Sequence, residues 1–263
     1  FSAPATQAEV QAMVDAVNSN TVLANLSAAT TIADLNTILP ALTGVIATDG
    51  AYQNYITNVA GAFSSPATQA EVQAMVDALD SNDVVDPNGN IWMDRNLGAT
   101  QVATSSTDAA AYGGLYQWGR AADGHESTTS ATTTTTSATD TPGHGAFISG
   151  SADWRSTRNN DLWQGVNGVN NPCPSGYRVP STTELAGLGI ADAATAFSSP
   201  LKMPMADIRH YNGGDIIAVA SQGFYWSSTV GASGAYCFYF ISGNQNFGER
   251  ERSFGFSVRC IKD

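Results

Sequence analysis

The sequence carries little charge, and most of that charge has one sign. Only 13% of its 263 residues are Asp, Glu, Lys or Arg, about half of the usual share. With 11 Lys and Arg against 23 Asp and Glu, the formal net charge is -12. The basic surface that nucleic acids and anionic lipids require is therefore missing, and we expect no nucleic-acid partner.

Long apolar runs are also missing. No stretch approaches the roughly 20 residues that span a bilayer, so we expect no membrane span. A charged n-region followed by an apolar h-region does not open the chain. Because the chain begins at Phe1 rather than Met, we expect a trimmed or processed product. Neutral polar residues replace charge, which is common outside the cytoplasm and in virions, so we expect a virion, extracellular or cell-surface location.

Cysteine and histidine are scarce and scattered. The cysteines are Cys173, Cys237 and Cys260, and the histidines are His125, His144 and His210. No Cys-x-x-Cys or Cys/His cluster supports a metal site, and three cysteines allow at most one intramolecular disulfide. No Ser-His-Asp order or activated cysteine is evident. We therefore expect no catalytic residues, no metal and no cofactor.

A repeat dominates the first third of the chain. Residues 1–20 recur at 63–82 with an offset of 62 and only three differences. Each copy carries a Thr-x-x-Glu capping box followed by apolar residues at helical spacing. We predict about four short helices in residues 1–82, forming a small bundle or a stalk. Plain helix packing is one interpretation. The other is a role of this thinly apolar region in assembly, including a homo-oligomer, or in attachment to a larger structure.

The pattern changes after residue 82 and predicts an α+β fold. We predict a short strand at 91–93, a helix at Ala109–Arg120, a polar surface loop at 121–150, and a short helix opened by the capping box Ser181-x-x-Glu184. The predicted later strands are Lys202–Ile208, Asp215–Ala220, Gly223–Ser228, Ala235–Ile241 and Ser253–Ile261.

The segment Asp86-x-Asn88-x-Asn90 has the spacing that opens a calcium loop. The sixth position is Ile91 rather than Gly, and the twelfth is Leu97 rather than Glu. The pattern therefore favours a turn over a calcium site.

Five blocks occur in one order after residue 82. They are NIWMDRNLGAT (90–100), YGGLYQWGR (112–120), NPCPSGYRVPSTTEL (171–185), GFYWSST (223–229) and GFSVRCIKD (255–263). Together they resemble the Fibrobacter major paralogous domain, a C-type-lectin-like fold related to formylglycine-generating enzymes. The resemblance covers about 83–263 and implies a C-type-lectin-like ligand-binding domain there, whereas the predicted helical region at 1–82 lies outside it. The resemblance also implies a disulfide between Cys173 and Cys260, with two reduced buried thiols as the alternative.

The same scaffold resembles the variable proteins of diversity-generating retroelements. In those proteins, mutagenesis directed at template adenines rewrites a C-terminal stretch while the fold beneath stays constant. The resemblance implies a binding protein, either a phage tail-type receptor binder or a cell-surface adhesin, with a protein on a host or neighbouring cell as its partner. A non-diversified secreted or surface structural module of the same family is the alternative.

Candidate contact residues follow from alternation and from this resemblance. Strand Ala235–Ile241 is apolar on both faces, and the resemblance puts Tyr236 and Phe240 inside, which turns Cys237 outward. Gly, Arg, Phe, Cys, Tyr, Ile and Ser can all arise from an Asn codon by adenine changes, but Glu cannot. Glu249 and Glu251 are therefore candidate scaffold positions. The candidate ligand-binding residues are Phe224, Gly231, Ser233, Cys237, Tyr239, Ile241, Phe247, Gly248, Arg250 and Phe254.

A third reading is an oxidase of the formylglycine-generating type. Such an enzyme needs a reactive cysteine pair near the C-terminus, where Cys237 and Cys260 both lie. Because Cys260 is better explained as a structural cysteine, we expect no enzymatic activity.

Overall fold

A computed structural model describes residues 83–263 of the chain. The predicted helices of residues 1–82, including both copies of the repeat, lie outside the described residues. Residues from Trp92 to Asp263 form one compact unit. Among the described residues, no helix is long or apolar enough to span a bilayer.

The described residues form mostly small β-sheets with two short α-helices, which agrees with the coarse α+β prediction. The helices are α1 (Thr182–Gly187) and α2 (Ala193–Ser198). The strands are β1 (Asp83–Val85), β2 (Ile91–Met93), β3 (Tyr116–Gln117), β4 (Thr132–Thr133), β5 (Phe147–Ile148), β6 (Tyr177–Arg178), β7 (Ile208–Arg209), β8 (Ile216–Ile217), β9 (Gly223–Val230), β10 (Ala235–Ile241), β11 (Asn244–Arg250), β12 (Gly255–Phe256) and β13 (Ile261–Lys262).

These strands form four sheets. Two are four-stranded, with the orders β1-β2-β13-β6 and β3-β12-β7-β8. The third has the order β11-β10-β9 and contains the longest strands, paired antiparallel. The fourth is the parallel pair β4-β5. The sheet of β9, β10 and β11 holds most of the predicted contact residues.

The core is built on tryptophan. All five tryptophans of the chain are fully buried. Indole N–H groups donate to backbone carbonyl oxygens, as Trp118 does to Ser227 at 2.8 Å and Trp226 does to Tyr116 at 2.7 Å. Because a buried indole needs such a partner, these bonds tie distant segments together beneath the long sheet.

Helix α1 begins where the sequence predicts it. Ser181 accepts from the Glu184 backbone N–H, and the Glu184 side chain accepts from the Ser181 N–H, which completes the capping box. The second helix, α2, was not predicted. Its cap is Asp192 with Thr195 three residues later, rather than the Glu or Gln of the usual signature.

The predicted helix at Ala109–Arg120 is wrong. Only one 3-10 turn, Ala109–Ala111, and strand β3 form there. Gly113 has a φ of +73°, and a Cβ at this position would lie 2.5 Å from the Leu97 carbonyl oxygen. This left-handed, closely packed glycine ends the helical path.

The polar segment 121–150 is more structured than the predicted loop. It contains β4 and β5, and Phe147 and Ile148 are fully buried. The Arg209 guanidinium donates to the Ser127 carbonyl at 2.8 Å and to the Ser130 carbonyl at 2.7 Å. A buried cation thus holds a segment that also buries Phe147 and Ile148.

The other predicted strands differ in accuracy. The bounds of Ala235–Ile241 are confirmed, and Gly223–Ser228 extends to Val230. The predictions at Lys202–Ile208 and Asp215–Ala220 were too long, because the first contributes only Ile208 to a strand and the second only Ile216 and Ile217. Strand β11, which lies against β10, was not predicted at all.

Candidate ligand-binding face

The register of β9, β10 and β11 decides which side chains share a face. Cys237 pairs with Trp226 and Gly248, and Tyr239 pairs with Phe224 and Asn246. Directly paired residues point to the same side of a sheet. We call this side the aromatic face. Its members are Phe224, Trp226, Val230, Ala235, Cys237, Tyr239, Ile241, Asn244, Asn246, Gly248 and Arg250.

The inner half of the aromatic face is sealed. Trp226 and Cys237 are 0% exposed and Phe224 is 6% exposed. The Phe256 ring of β12 packs against both neighbouring rings, with centroids 4.9 Å from Phe224 and 4.5 Å from Trp226. Phe224 therefore supports the surface from below and is wrong as a direct ligand contact.

Cys237 is also wrong as an outward-facing contact. Its Sγ donates to the Gly248 carbonyl oxygen at 3.4 Å, and it belongs to the main hydrophobic cluster. Burial raises the pKa of the thiol to about 12. A buried, protonated thiol is a poor nucleophile, so Cys237 acts here as a small apolar core residue.

The outer half of the aromatic face is partly open. Tyr239, Ile241 and Arg250 are half-buried. The Tyr239 ring stacks on Phe224 with centroids 5.1 Å apart and planes 9° apart. A candidate contact residue at the surface thus lies on a buried ring of the core.

Arg250 packs over the same two rings. Its guanidinium carbon lies 5.4 Å from the Tyr239 centroid and 6.0 Å from the Phe224 centroid. Its Nη1 donates to the Glu249 carbonyl oxygen at 2.9 Å. A Cβ at Gly248 would lie 2.9 Å from the same Nη1, so the glycine provides the room in which the guanidinium packs.

Phe254 lies just after β11 and extends this ring system. It stacks on Phe256 at 5.2 Å, which links it to Phe224. It also contacts Tyr211 at 4.8 Å and His210 at 5.1 Å. His210 and Tyr211 are half-buried and were not predicted as site residues. They follow β7, far away in sequence, and no periodic pattern marks them.

Phe247 lies on the opposite side of the sheet. It pairs with Phe238, and the two ring centroids are 5.0 Å apart. Alternation along β11 turns Phe247 away from Gly248 and Arg250. Its assignment to the same contact surface was therefore wrong.

Gly231 and Ser233 lie in the turn between β9 and β10. The Glu249 carboxylate accepts from the backbone N–H groups of Ser233 and Gly234 and from the Ser233 hydroxyl. These hydrogen bonds, led by the Ser233 hydroxyl, lower the pKa of Glu249. From the other side, Arg158 donates to the carbonyl oxygens of Ala232 and Ser233.

This bonding restrains the turn and makes Glu249 part of the scaffold. A shallow pocket of about 170 Å³ lies beside the turn. It is lined by Ala152, Ser233, Gly234, Glu249, Arg250 and Glu251. The pocket adjoins the outer half of the aromatic face, because Arg250 belongs to both.

Arg252 secures the far side of the same strand connection. It is 1% exposed and donates to the Gly234 carbonyl at 3.1 Å and to the Asn159 carbonyl at 2.8 Å. Its guanidinium lies 4.3 Å from the Trp118 ring centroid. Desolvation lowers the pKa of Arg252 to about 10, a value that still leaves it charged at neutral pH.

A disulfide joins Cys173 to Cys260, with 5.9 Å between their Cα atoms and 87 residues between them in sequence. It connects the segment before β6 to the segment before β13. Because Cys260 is bonded to Cys173, the Cys237–Cys260 pair that an oxidase of the formylglycine-generating type would need is not formed here.

Asp123, His125 and Glu126 bring potential metal ligands together within 4.8 Å. The contacts of His125 favour a structural role. Its Nε2 accepts from the Gln117 backbone N–H at 2.9 Å, which leaves the proton on Nδ1, 2.7 Å from an Asp123 oxygen. Both ring nitrogens are thus occupied by the protein, and burial lowers the pKa of His125.

At the segment that resembles the start of a calcium loop, the carboxylate oxygens of Asp86 are occupied by hydrogen bonds within the turn. The Asp86 carboxylate accepts from the backbone N–H groups of Asn88 and Asn90. This is the hydrogen bonding of an Asx turn.

A scan against protein-family models, a search of curated proteins and a search of solved structures each found no match to this chain.

Proposed function

We propose that this chain is a ligand- or receptor-binding protein that performs no chemistry. In this proposal, residues 83–263 form a C-type-lectin-like domain, and residues 1–82 form a helical appendage. The domain binds a protein on a host or neighbouring cell surface. One observation carries the proposal: Tyr239 and Arg250 are half-buried and pack on the buried Phe224 ring, and the half-buried Ile241 follows Tyr239 on the same side of β10.

The composition of this surface supports a protein partner. Aromatic rings and arginine are enriched at protein interfaces and supply most of their binding energy. Tyr239 is already stacked on Phe224, and Arg250 already packs on both rings. Side chains held in place before binding lose less conformational entropy when a partner arrives.

We further propose that a retroelement diversifies this surface, on a phage tail-type or cell-surface protein. Candidate contacts remain at seven positions, and all are types that an Asn codon yields by adenine changes: Gly231, Ser233, Tyr239, Ile241, Gly248, Arg250 and Phe254. Glu249 is not such a type, and its carboxylate holds the turn. This division between contact and scaffold residues supports the proposal, as does the order of the five sequence blocks.

The burial of Phe224 and Cys237 favours a second candidate. A position inside the core tolerates few replacements, which suits a non-diversified surface module of the same family. The coding DNA separates the two candidates. Diversification requires a near-identical template repeat and a neighbouring reverse-transcriptase gene, with mismatches only at template adenines. If the surrounding DNA contains neither a template repeat nor a reverse-transcriptase gene, the non-diversified module is the candidate that remains.

Binding itself is tested with the labelled full chain on a panel of bacterial cells, intact and after surface proteolysis. We expect saturable binding to some members and its loss after proteolysis. The double variant Tyr239→Ser, Arg250→Ser should weaken binding at least tenfold, whereas Lys202→Ser, which changes a cation outside the aromatic face, should not. Binding that is indifferent to the double variant would assign the contact to another part of the chain.

A further inference from the structure

Arg250 is the one charged residue on the aromatic face as defined by the register of β9, β10 and β11. All other members are aromatic, aliphatic, small or neutral polar. Glu249 alternates with Arg250 along β11 and its carboxylate holds the turn, although Glu249 and Glu251 also line the pocket that Arg250 adjoins. The face therefore presents one cation on an apolar surface, although the chain as a whole carries a formal charge of -12.

Most other arginines of residues 83–263 have acidic partners. Carboxylates lie within 4.0 Å of Arg95, Arg120, Arg155, Arg158, Arg178 and Arg252. Arg209 and Arg259 are buried and donate to backbone carbonyl oxygens. Within the described part of the chain, no such ion pair forms at Arg250, which is half-buried and has its guanidinium carbon within 6.0 Å of two ring centroids.

We infer that Arg250 receives an Asp or Glu side chain of the protein partner, while a neighbouring apolar side chain of that partner packs on Tyr239 and Ile241. This inference rests on the proposed function and specifies its ligand. The recognition element is an acidic residue beside an apolar one, on a segment that docks against the outer half of the aromatic face.

The chemistry of the guanidinium supports this choice. Its planar fork of N–H donors matches a carboxylate and forms short, charge-assisted bonds. Two ring centroids lie within 6.0 Å of the guanidinium carbon, and the apolar surroundings strengthen the ion pair once water is displaced. Tyr239 and Ile241 give the neighbouring side chain an apolar contact, a demand that a heavily hydroxylated sugar acid meets poorly.

The test uses random peptides displayed on phage and selected against the immobilised full chain. Enriched peptides are synthesised with their acidic residue and with its amide isostere, Asn or Gln. Calorimetric titration then gives both affinities for the wild type, Arg250→Gln, Arg250→Lys, Tyr239→Ser and Lys202→Gln. The last variant is the matched control, because Lys202 also lies over a ring, that of Phe197 at 5.3 Å.

We expect the wild type to bind the acidic peptide about tenfold or more tightly than the amide isostere, a difference of about 1.4 kcal/mol. This preference should disappear in Arg250→Gln, weaken in Arg250→Lys and persist in Lys202→Gln. Thermal melting of each variant checks that the fold is retained, which the half-exposed position of Arg250 favours.

Peptides that lose affinity in Tyr239→Ser but bind equally well as amides would overturn this inference and leave the proposed function standing. Competition by free glucuronate or sialic acid, without any by the acidic peptides, would overturn the protein source of the carboxylate. If no selected peptide loses affinity in Tyr239→Ser, the proposed function itself fails.

Discussion

The two halves of the aromatic face share the same strands but differ in what covers them. Strand β10 carries Cys237 and, two residues later, Tyr239 on the same side. The first is sealed in the core, whereas the second is half-open. Phe256, from a strand in another sheet, packs on the rings of the inner half. The sequence of β10 alone therefore does not determine which of its side chains are exposed, because Phe256, from a distant segment, covers only the inner half of the face.

Arg250 and Arg252 repeat this contrast at two positions of one chain segment. Arg252 is buried, and its guanidinium donates to backbone carbonyl oxygens on two loops. Arg250 packs over the half-buried Tyr239 ring and the buried Phe224 ring and donates to the carbonyl oxygen of Glu249. One arginine joins parts of the fold, and the other is presented to solvent.

The largest expected effect comes from placing a carboxylate in each half of the face. Cys237→Asp buries an unpaired charge or a protonated acid without a designed partner, and should lower the free energy of unfolding by about 4 kcal/mol or more. Ile241→Asp, on the same face of the same strand, should cost less than about 1 kcal/mol. Urea denaturation measures both. Similar losses for the two variants would remove the distinction between a sealed half and an open half.

The next largest expected effect is the difference in the free energy of unfolding between Arg252→Met and Arg250→Met. Arg252→Met leaves the Gly234 and Asn159 carbonyls without their donor and should cost about 3 kcal/mol. Arg250→Met should change the free energy of unfolding by less than about 0.5 kcal/mol, as surface substitutions usually do. Chemical denaturation of both variants checks this. A large loss in Arg250→Met would show that this side chain supports the fold and is not reserved for a partner.

Acid should weaken the scaffold through His125. Its folded-state pKa is lowered below the ordinary value of about 6.5, chiefly by burial. The unfolded chain therefore binds the proton more readily than the folded chain. Neutral His125 contributes its full stabilisation above the unfolded pKa of about 6.5, and this contribution is lost as pH falls towards the folded pKa. The free energy of unfolding should fall by at most about 1.4 kcal/mol per pH unit in this range.

His125→Gln is the matched variant for this effect, because an amide can still accept from Gln117 and donate to Asp123. It should flatten the decline in the free energy of unfolding between neutral pH and pH about 5. An unchanged slope would mean that other groups carry the acid sensitivity. The pKa of Asp153 is raised by burial, which acts in the opposite direction at lower pH and cancels in the comparison of variant with wild type.

Local signals in the sequence predicted the elements that local interactions determine. The capping box at Ser181 and Glu184 gave helix α1, and the apolar run Ala235–Ile241 gave β10 with its bounds. The helix predicted at Ala109–Arg120 had the right apolar spacing, but Gly113 sits in the left-handed region against the Leu97 carbonyl. That approach depends on a distant segment, which periodicity does not reveal.

The candidate site shows the same limit. Alternation placed Tyr239 and Ile241 on one face with Cys237, and the register agrees. It did not separate buried members from open ones, because Phe256 provides the cover. His210 and Tyr211 join Phe254 through tertiary packing alone, so no pattern within β11 or β12 predicts them. Face membership is a local property, whereas exposure is a property of the whole fold.

The smallest expected effect separates two neighbouring carboxylates. Glu249→Gln removes the charge that accepts from the Ser233 and Gly234 amides, so amide hydrogen exchange there should accelerate while the rest of β10 stays protected. Glu251→Gln is the control and should leave both amides unchanged. If exchange at Ser233 and Gly234 were equally slow in Glu249→Gln, the turn would be held by Arg158 and the strand pairing alone. Glu249 would then lose its assigned scaffold role, and its place beside Arg250 in the pocket would make it a candidate contact residue instead.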